Sequence, residues 1–339
     1  MADEIQGAAP PPVATPGADV PEPGPSRSWV TRVPETAALI VVLIGLIVFF
    51  SIRSEFFLTQ DNIVNILSAV AVLGILACPA TMLLISGQFD LSVASGVALT
   101  SVVLGYGLAD GSGTVLMVCL AIAAGIAIGI ANGFLVTVVG INSIITTLGT
   151  LAVLRGLAQL RTDGRSVGFE GFTELGLGRP IFDTPWSVFI LLGVVVASIV
   201  AMRYTTFGRS LYAIGANPTA ARLAGIRVNR VIFLAFVLSG LAIAVCGLIV
   251  ASETGQASGN AALGLELSVV TAVILGGASL SGGRGTILGT ILGVLILGVI
   301  TNGLTLLSVN TFWQDVTRGS LLIAAVAFDQ LRLRLTKSV

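Results

Sequence analysis

From residue 36 onwards the chain is a series of long apolar runs separated by short polar stretches. A helix of about 20 apolar residues crosses the hydrocarbon of a bilayer. Ten runs approach that length: 36–53, 62–86, 91–108, 114–139, 143–160, 186–203, 230–252, 266–280, 285–306 and 314–331. The third and eighth adjoin Gly- and Ser-rich breaks and are expected to be bent or partly re-entrant. Pro79 is expected to kink the second. The pattern predicts an all-α integral membrane protein of about ten transmembrane helices, covering residues 36–335. Residues 1–35 break it. They hold eight of the twelve prolines, with Ala and Gly between them, cannot bury a core, and read as a disordered tail. The acids Asp3, Glu4, Asp19 and Glu22, and the lack of a cleavage site after a short apolar core, argue against a signal peptide.

Composition agrees. The 339 residues are 55% hydrophobic and 10% charged, where a soluble domain carries roughly 25% charge. Net charge is zero, yet its distribution orients the chain. With ten spans and the N-terminus inside, eleven of the 17 Lys and Arg fall on inner segments or their flanks. The outer loops collect Glu55, Asp61, Asp110, Asp163, Glu170, Glu174, Asp183 and Glu253. The positive-inside rule then places both termini and residues 204–229 in the cytoplasm, with 161–185 outside.

The most polar internal stretch is RYTTFGRSLYAIGANPTAARLAGIRVNR, residues 203–230, with five arginines and no acid. It predicts a short helix over Thr219 to Ala224. Asn217 is placed to cap it, Pro218 suits its first position, and Gly225 suits the left-handed stop. Ala220, Leu223 and Ala224 share one small apolar face by helical spacing, and Arg222 points elsewhere. Spacing leaves two readings open: a docking element, or a cytoplasmic loop held in place by its positive charge.

Two stretches echo each other 189 residues apart, ISGQFDLSVASG from Ile85 and ILGGASLSGGRG from Ile274. They align Gly87 with Gly276 and Ser92 with Ser281. In each, an apolar helix is expected to break at glycine, show polar side chains, and start another helix, with Asp90 and Ser279 as possible N-caps. Internal duplication is common in transporter folds. Asn132-Gly133 and Asn302-Gly303 echo at a different offset. Gly125, Gly129 and Gly133, and likewise Gly285, Gly289 and Gly293, recur at four-residue spacing, as in faces where helix backbones approach closely.

Catalytic chemistry has little to work with. The chain has no His, so a Ser-His pair is impossible, and no apolar run holds paired carboxylates. Cys78, Cys119 and Cys246 lie inside apolar runs without disulfide or metal-ligand spacing. The only Lys is Lys337 in the tail, so no Walker loop exists and the chain does not hydrolyse ATP by itself. Asp90, Glu266, Asp315, Arg318 and Asp329 all fall near predicted span ends, which argues against a proton-coupled carrier. The spans do offer small neutral hydroxyls and amides, among them Gln88, Asn132, Thr146, Thr147 and Asn302. These suit an uncharged polyol as well as helix–helix hydrogen bonds.

Phe207 to Val228, FGRSLYAIGANPTAARLAGIRV, resembles the cytoplasmic coupling loop of the ribose-type sugar permeases of ABC importers, in the branched-chain-amino-acid/ribose permease family. ISGQFDLSVASG, ITTLGTLAVLRGL (Ile145 to Leu157) and VILGGASLSGGRGTILGT (Val273 to Thr290) resemble the same family, so the likeness covers about residues 36 to 335. It implies a ten-helix permease of the bacterial inner membrane, working as a dimer with a second permease chain. It also implies a partner ATPase with two nucleotide-binding cassettes, which binds the ATP and Mg, and an extracytoplasmic sugar-binding protein. No nucleic-acid partner and no cofactor in this chain are implied. By the same likeness Gly208, Arg209, Gly215, Asn217, Pro218, Ala220, Leu223, Ala224 and Gly225 would couple to the ATPase. Gln88, Asp90, Ser92, Asn132, Thr146, Thr147 and Asn302 would lie along the path. The chain departs from the family at Asn142-Ser143, where a proline pair often stands, and in its Pro-rich tail. Either Asn142 or Ser143 is expected to cap the following helix instead. The expected function is the membrane subunit of an ATP-driven monosaccharide importer. A stand-alone secondary transporter or channel, and an intramembrane enzyme, are the alternatives.

Overall fold

The computed structural model describes residues 35–181 and 183–337, so the proline-rich tail lies almost wholly outside the described residues. Helices stand at all ten predicted places: α1 (Glu35–Arg53), α2 (Gln60–Ile85), α3 (Val93–Ala109), α4 (Thr114–Phe134), α5 (Ser143–Thr162), α7 (Trp186–Tyr204), α10 (Val228–Thr254), α11 (Leu265–Leu275), α12 (Ile287–Leu306) and α13 (Thr311–Lys337). A π-helical turn, Leu135–Val139, continues α4. Among the described residues, seven helices are long and apolar enough to cross a membrane, namely α1, α2, α4 with its π turn, α5, α7, α10 and α12. The third and eighth segments, beside the Gly- and Ser-rich breaks, are the short ones. α3 starts at Val93 rather than residue 91, and α11 has only 11 residues and stops at Leu275 rather than 280. In both, glycine and small polar residues take the chain out of the helix sooner than apolarity alone suggests. The last helix runs from Thr311 to Lys337 and is longer at both ends than the apolar run. Pro79 lies inside α2, whose helix runs on through it.

α2 and α10 form the centre, and Ile75, Leu83, Phe236, Ile243 and Ile249 are fully buried. α4 packs on α10 through the face read from its glycines. A Cβ at Gly125 would meet the Gly240 carbonyl, and one at Gly129 the Phe236 carbonyl. Gly289 and Gly293 press in the same way on the Gly276 and Ala272 carbonyls, joining α12 to α11. Gly285 lies ahead of α12 and takes no part in that face. Hydroxyls and amides tie the centre further. Asn62 of α2 and Asn302 of α12 exchange two side-chain hydrogen bonds of 2.8 and 3.0 Å, and Thr81 bonds Thr290 at 2.7 Å. The rim is apolar and exposed, with Val41 69% and Ile52 80% accessible on α1. A bilayer provides the solvent such a rim needs.

At the C-terminal end of α10 a cap closes the bundle. β1 (Ser166–Gly168) and β2 (Gln256–Ser258) pair antiparallel with Val167 opposite Ala257. The short α6 (Glu174–Leu177) follows β1, and the Gly176 N–H donates to Ser252 Oγ at 2.8 Å. Arg161 lies 3.6 Å from Asp110 and over the Tyr106 ring, so two loops assigned to the same side do meet.

At the N-terminal end of α10 the basic loop contains two helices, not one. α8 (Thr206–Ala216) buries Gly208, Leu211 and Ile214. α9 (Pro218–Leu223) is the predicted short helix.

Candidate functional site

The two echoing breaks form alike. At the end of α2 the N–H groups of Gly87 and Gln88 donate to the carbonyls of Leu84 and Leu83, and Gly87 is left-handed at φ 77°. At the end of α11 those of Gly277 and Ala278 donate to Ile274 and Val273, and Gly277 has φ 90°. The structural partner of Gly87 is therefore Gly277, one residue out of step with the sequence alignment. Gly276 and Gly277 are both free to adopt positive φ, and only the helix-end hydrogen bonds choose between them. The second break is also longer. Ser279 is no helix N-cap: it sits in a turn, where its Oγ accepts from the Ser281 N–H, and Thr286 caps α12.

Asp90 is not the N-cap of α3, which starts at Val93 behind Ser92; it lies two residues before that cap and bonds to it instead. Its Oδ1 accepts from the N–H and the Oγ of Ser92, at 3.0 and 2.6 Å. Its Oδ2 accepts from Ser239 Oγ of α10 at 2.7 Å. Ser92 Oγ in turn accepts from Asn132 Nδ2 of α4 at 2.8 Å. Thus one buried carboxylate fixes the first break to α10 and, through Ser92, to α4. A buried carboxyl group persists only where donors satisfy its oxygens, and here three do so. Asn132 Oδ1 is buried without a hydrogen-bond partner among the described residues.

The predicted path residues therefore fall into separate places. Asp90, Ser92 and Asn132 share the buried network. Asn302 pairs with Asn62, far along α2. Thr146 and Thr147 are buried in the first turn of α5. The Thr147 hydroxyl is spent on the Ser143 carbonyl, and the Thr146 hydroxyl has no partner among the described residues. Gln88 lines a cavity of about 420 Å³. Asn142 caps α5 as expected, its Oδ1 accepting from the Ile144 N–H at 2.9 Å, while Ser143 Oγ accepts from the Phe89 N–H and holds the first break to α5.

The loop residues are brought together. Asn217 Oδ1 accepts from both the Thr219 and Ala220 N–H groups at 3.0 Å, Pro218 opens α9, and Gly225 has φ 85°. Ala221 is buried against the bundle, which leaves Ala220, Leu223 and Ala224 outward, Leu223 at 87% exposure. Arg209 is exposed on α8. Gly208 and Gly215 have internal duties. A side chain at Gly208 would strike the backbone of Met202, so Gly208 permits the tight step from α7 into α8. A side chain at Gly215 would strike the Ile85 carbonyl and the Gly283 N–H. Those two groups hydrogen-bond each other at 2.8 Å. Nearby, Tyr212 Oη donates to the Gly285 carbonyl at 2.8 Å, and burial pushes its hydroxyl above its ordinary pKa, so it remains a donor. α8 therefore rests directly on the place where the two breaks meet.

Sequence reasoning missed Ser239, Tyr212 and Gly283. Ser239 is a lone hydroxyl in an apolar run, with no local sign of its partner. α8 was missed as well, although Gly208, Leu211 and Ile214 recur at three-residue spacing behind Thr205, which caps it.

Residues 62–326 match the family model described as branched-chain amino acid transport system / permease component. The chain is 36% identical to the L-arabinose transport system permease protein AraH of Escherichia coli (strain K12), over 96% of this chain and 99% of that one. It is 39% identical to the ribose import permease protein RbsC of Bacillus subtilis (strain 168), over 84% and 89%. It is 38% identical to the probable ABC transporter permease protein YphD of Escherichia coli (strain K12), over 88% and 91%. No solved structure matched. With a model covering most of its length and relatives matched nearly end to end, the chain belongs to the permease-component family of branched-chain amino acid and related transport systems, and is a multi-pass membrane protein.

Proposed function

We propose that this chain is the membrane subunit of an ATP-driven importer of a monosaccharide, with ATP and Mg bound by a separate ATPase. The observation that carries the reading is the seating of the loop helices. α9 offers an outward apolar face, and α8, next to it, rests on the junction of the two broken segments. A force on α9 from closing cassettes would reach the breaks through backbone contact at Gly215, with no flexible side chain between. The relatives named for ribose and L-arabinose transport support a pentose-like cargo.

In this account the coupling end is cytoplasmic, as are both termini, and the protein sits in a bacterial inner membrane. The cap of β1, β2 and α6 faces outward and receives the extracytoplasmic sugar-binding protein. Glu170 and Glu174 are exposed there, while Asp183 is engaged by Arg179 at 2.9 Å. Two permease chains would face each other, with the cargo passing between them along small polar groups. A weak transit site suits this arrangement, because the binding protein supplies the affinity.

Reconstitution in proteoliposomes tests the reading. Uptake of ribose or L-arabinose should require ATP, the ATPase and the binding protein together. Uptake driven by an ion gradient without ATP would replace it with a secondary transporter, for which the buried Asp90 would be the first residue to test.

A further inference from the structure

The cavity facing Gln88 lies between the first break, the π-helical turn after α4, the start of α5, the start of α10 and α9. Its volume of about 420 Å³ lies in the small-molecule range of roughly 300–1,000 Å³. Val136, Ile214, Pro218 and Ile232 form apolar walls. Gln88, Asn142, Ser143, Arg222, Asn229 and Ser281 add polar groups. Several of these still have hydrogen-bonding capacity. Asn142 spends its Oδ1 on the α5 cap and Asn229 its Nδ2 on the Thr137 carbonyl. That leaves Asn142 Nδ2, Asn229 Oδ1 and both ends of the Gln88 amide without a partner among the described residues. Arg222 has no acid paired with it there either. Three amides and one planar guanidinium beside aliphatic walls match hydroxyls on one side of a ligand and C–H groups on the other. The π turn supplies part of this wall, and such turns are frequent at functional sites.

We propose that this cavity is an exit subsite for a neutral polyhydroxylated solute, one wall of which is α9 itself. This rests on the importer reading above and adds to it. Arg222 is then more than a charge that orients the loop: it is a ligand-facing residue carried on the element that the ATPase moves. Displacement of α9 changes the cavity, so ATP-driven motion would release the solute from this subsite as well as open the path to it.

The test uses the full chain assembled with its ATPase and binding protein in inside-out vesicles. Cys119 is replaced, because it is the exposed native thiol while Cys78 and Cys246 are buried, and Ser281→Cys provides a reporter in the cavity. The probes are D-ribose and L-arabinose at millimolar concentration, against a membrane-impermeant thiol reagent. The subsite predicts that one of these pentoses slows labelling of Ser281→Cys several-fold. That protection should be lost when Gln88→Leu and Arg222→Gln are added, while the labelling rate without sugar stays at the parent's value. Labelling unaffected by either pentose, in vesicles that still release lumenal sugar when ATP is added outside, would overturn the subsite while leaving the importer reading in place. Protection by inorganic phosphate and not by the pentoses would overturn it in favour of an anion site. Absence of ATP-dependent sugar release from vesicles carrying the reporter protein's parent would instead count against the importer reading.

Discussion

The Gly283 N–H donates to the Ile85 carbonyl at 2.8 Å, and this bond joins two breaks nearly 200 residues apart in the chain. Gly215 lies over the bond so closely that a single methyl group would overlap both of its ends. α8 thus touches both breaks, the one that follows α2 and the one that follows α11.

Gly215→Ala should uncouple transport. The added methyl must displace α8 from the junction, at a cost of about 1–3 kcal/mol for overpacking. The protein should still insert, since the loss is small beside the buried core. Uptake should fall at least tenfold while ATP hydrolysis by the assembled complex continues. Comparing transport with hydrolysis in proteoliposomes checks this. Equal, near-normal values for both would show that the seating carries no signal.

Replacing Asp90 should reveal what the buried network contributes. Asp90→Ala leaves the hydroxyls of Ser92 and Ser239 unpaired, at about 1–3 kcal/mol for each unsatisfied group. Asp90→Asn keeps an acceptor and should lose much less. Thermal unfolding in detergent should rank wild type above Asn, and Asn above Ala. A variant with Ala as stable as wild type would mean that the carboxylate is not holding the break.

The Asn62–Asn302 pair should be modest in strength. Hydrogen bonds between membrane helices average about 0.6 kcal/mol and reach about 1.7. A double-mutant cycle with Asn62→Leu and Asn302→Leu should return a coupling energy in that range. A coupling of zero would mean that the two amides find other partners when separated.

Orientation is tested by labelling. In a chain lacking the exposed Cys119, Thr219→Cys on α9 should react with an impermeant reagent in inside-out vesicles and not in intact cells. Reaction from outside the cell would invert the topology.

Much of this was legible in the sequence. Apolar runs place helices well, because the length needed to span a bilayer and the length of the run are the same quantity. The caps at Asn142 and Asn217 were legible because they act within three residues. The Asp90–Ser239 bond was not, since it spans 149 positions and neither residue carries a local sign of the other. The break register was one residue out because adjacent glycines are interchangeable until hydrogen bonds fix one of them. α8 was hidden by its setting: its apolar positions are few, and its close contacts use glycines, which show in a sequence only as missing side chains.

The most direct measurement concerns α9. Ala220, Leu223 and Ala224 face outward, and a small apolar face can enter a cleft without burying a polar group. A carboxylate there would be buried without a partner once docked, at several kcal/mol, while the helix tolerates Glu well. Ala220→Glu should therefore insert normally yet lose ATP-dependent sugar uptake and the stimulation of ATP hydrolysis by loaded binding protein, and should copurify poorly with the ATPase. Ala220→Ser should keep all three. Normal uptake and normal ATPase copurification by Ala220→Glu would contradict the account, because α9 would then not be the surface through which ATP hydrolysis drives transport.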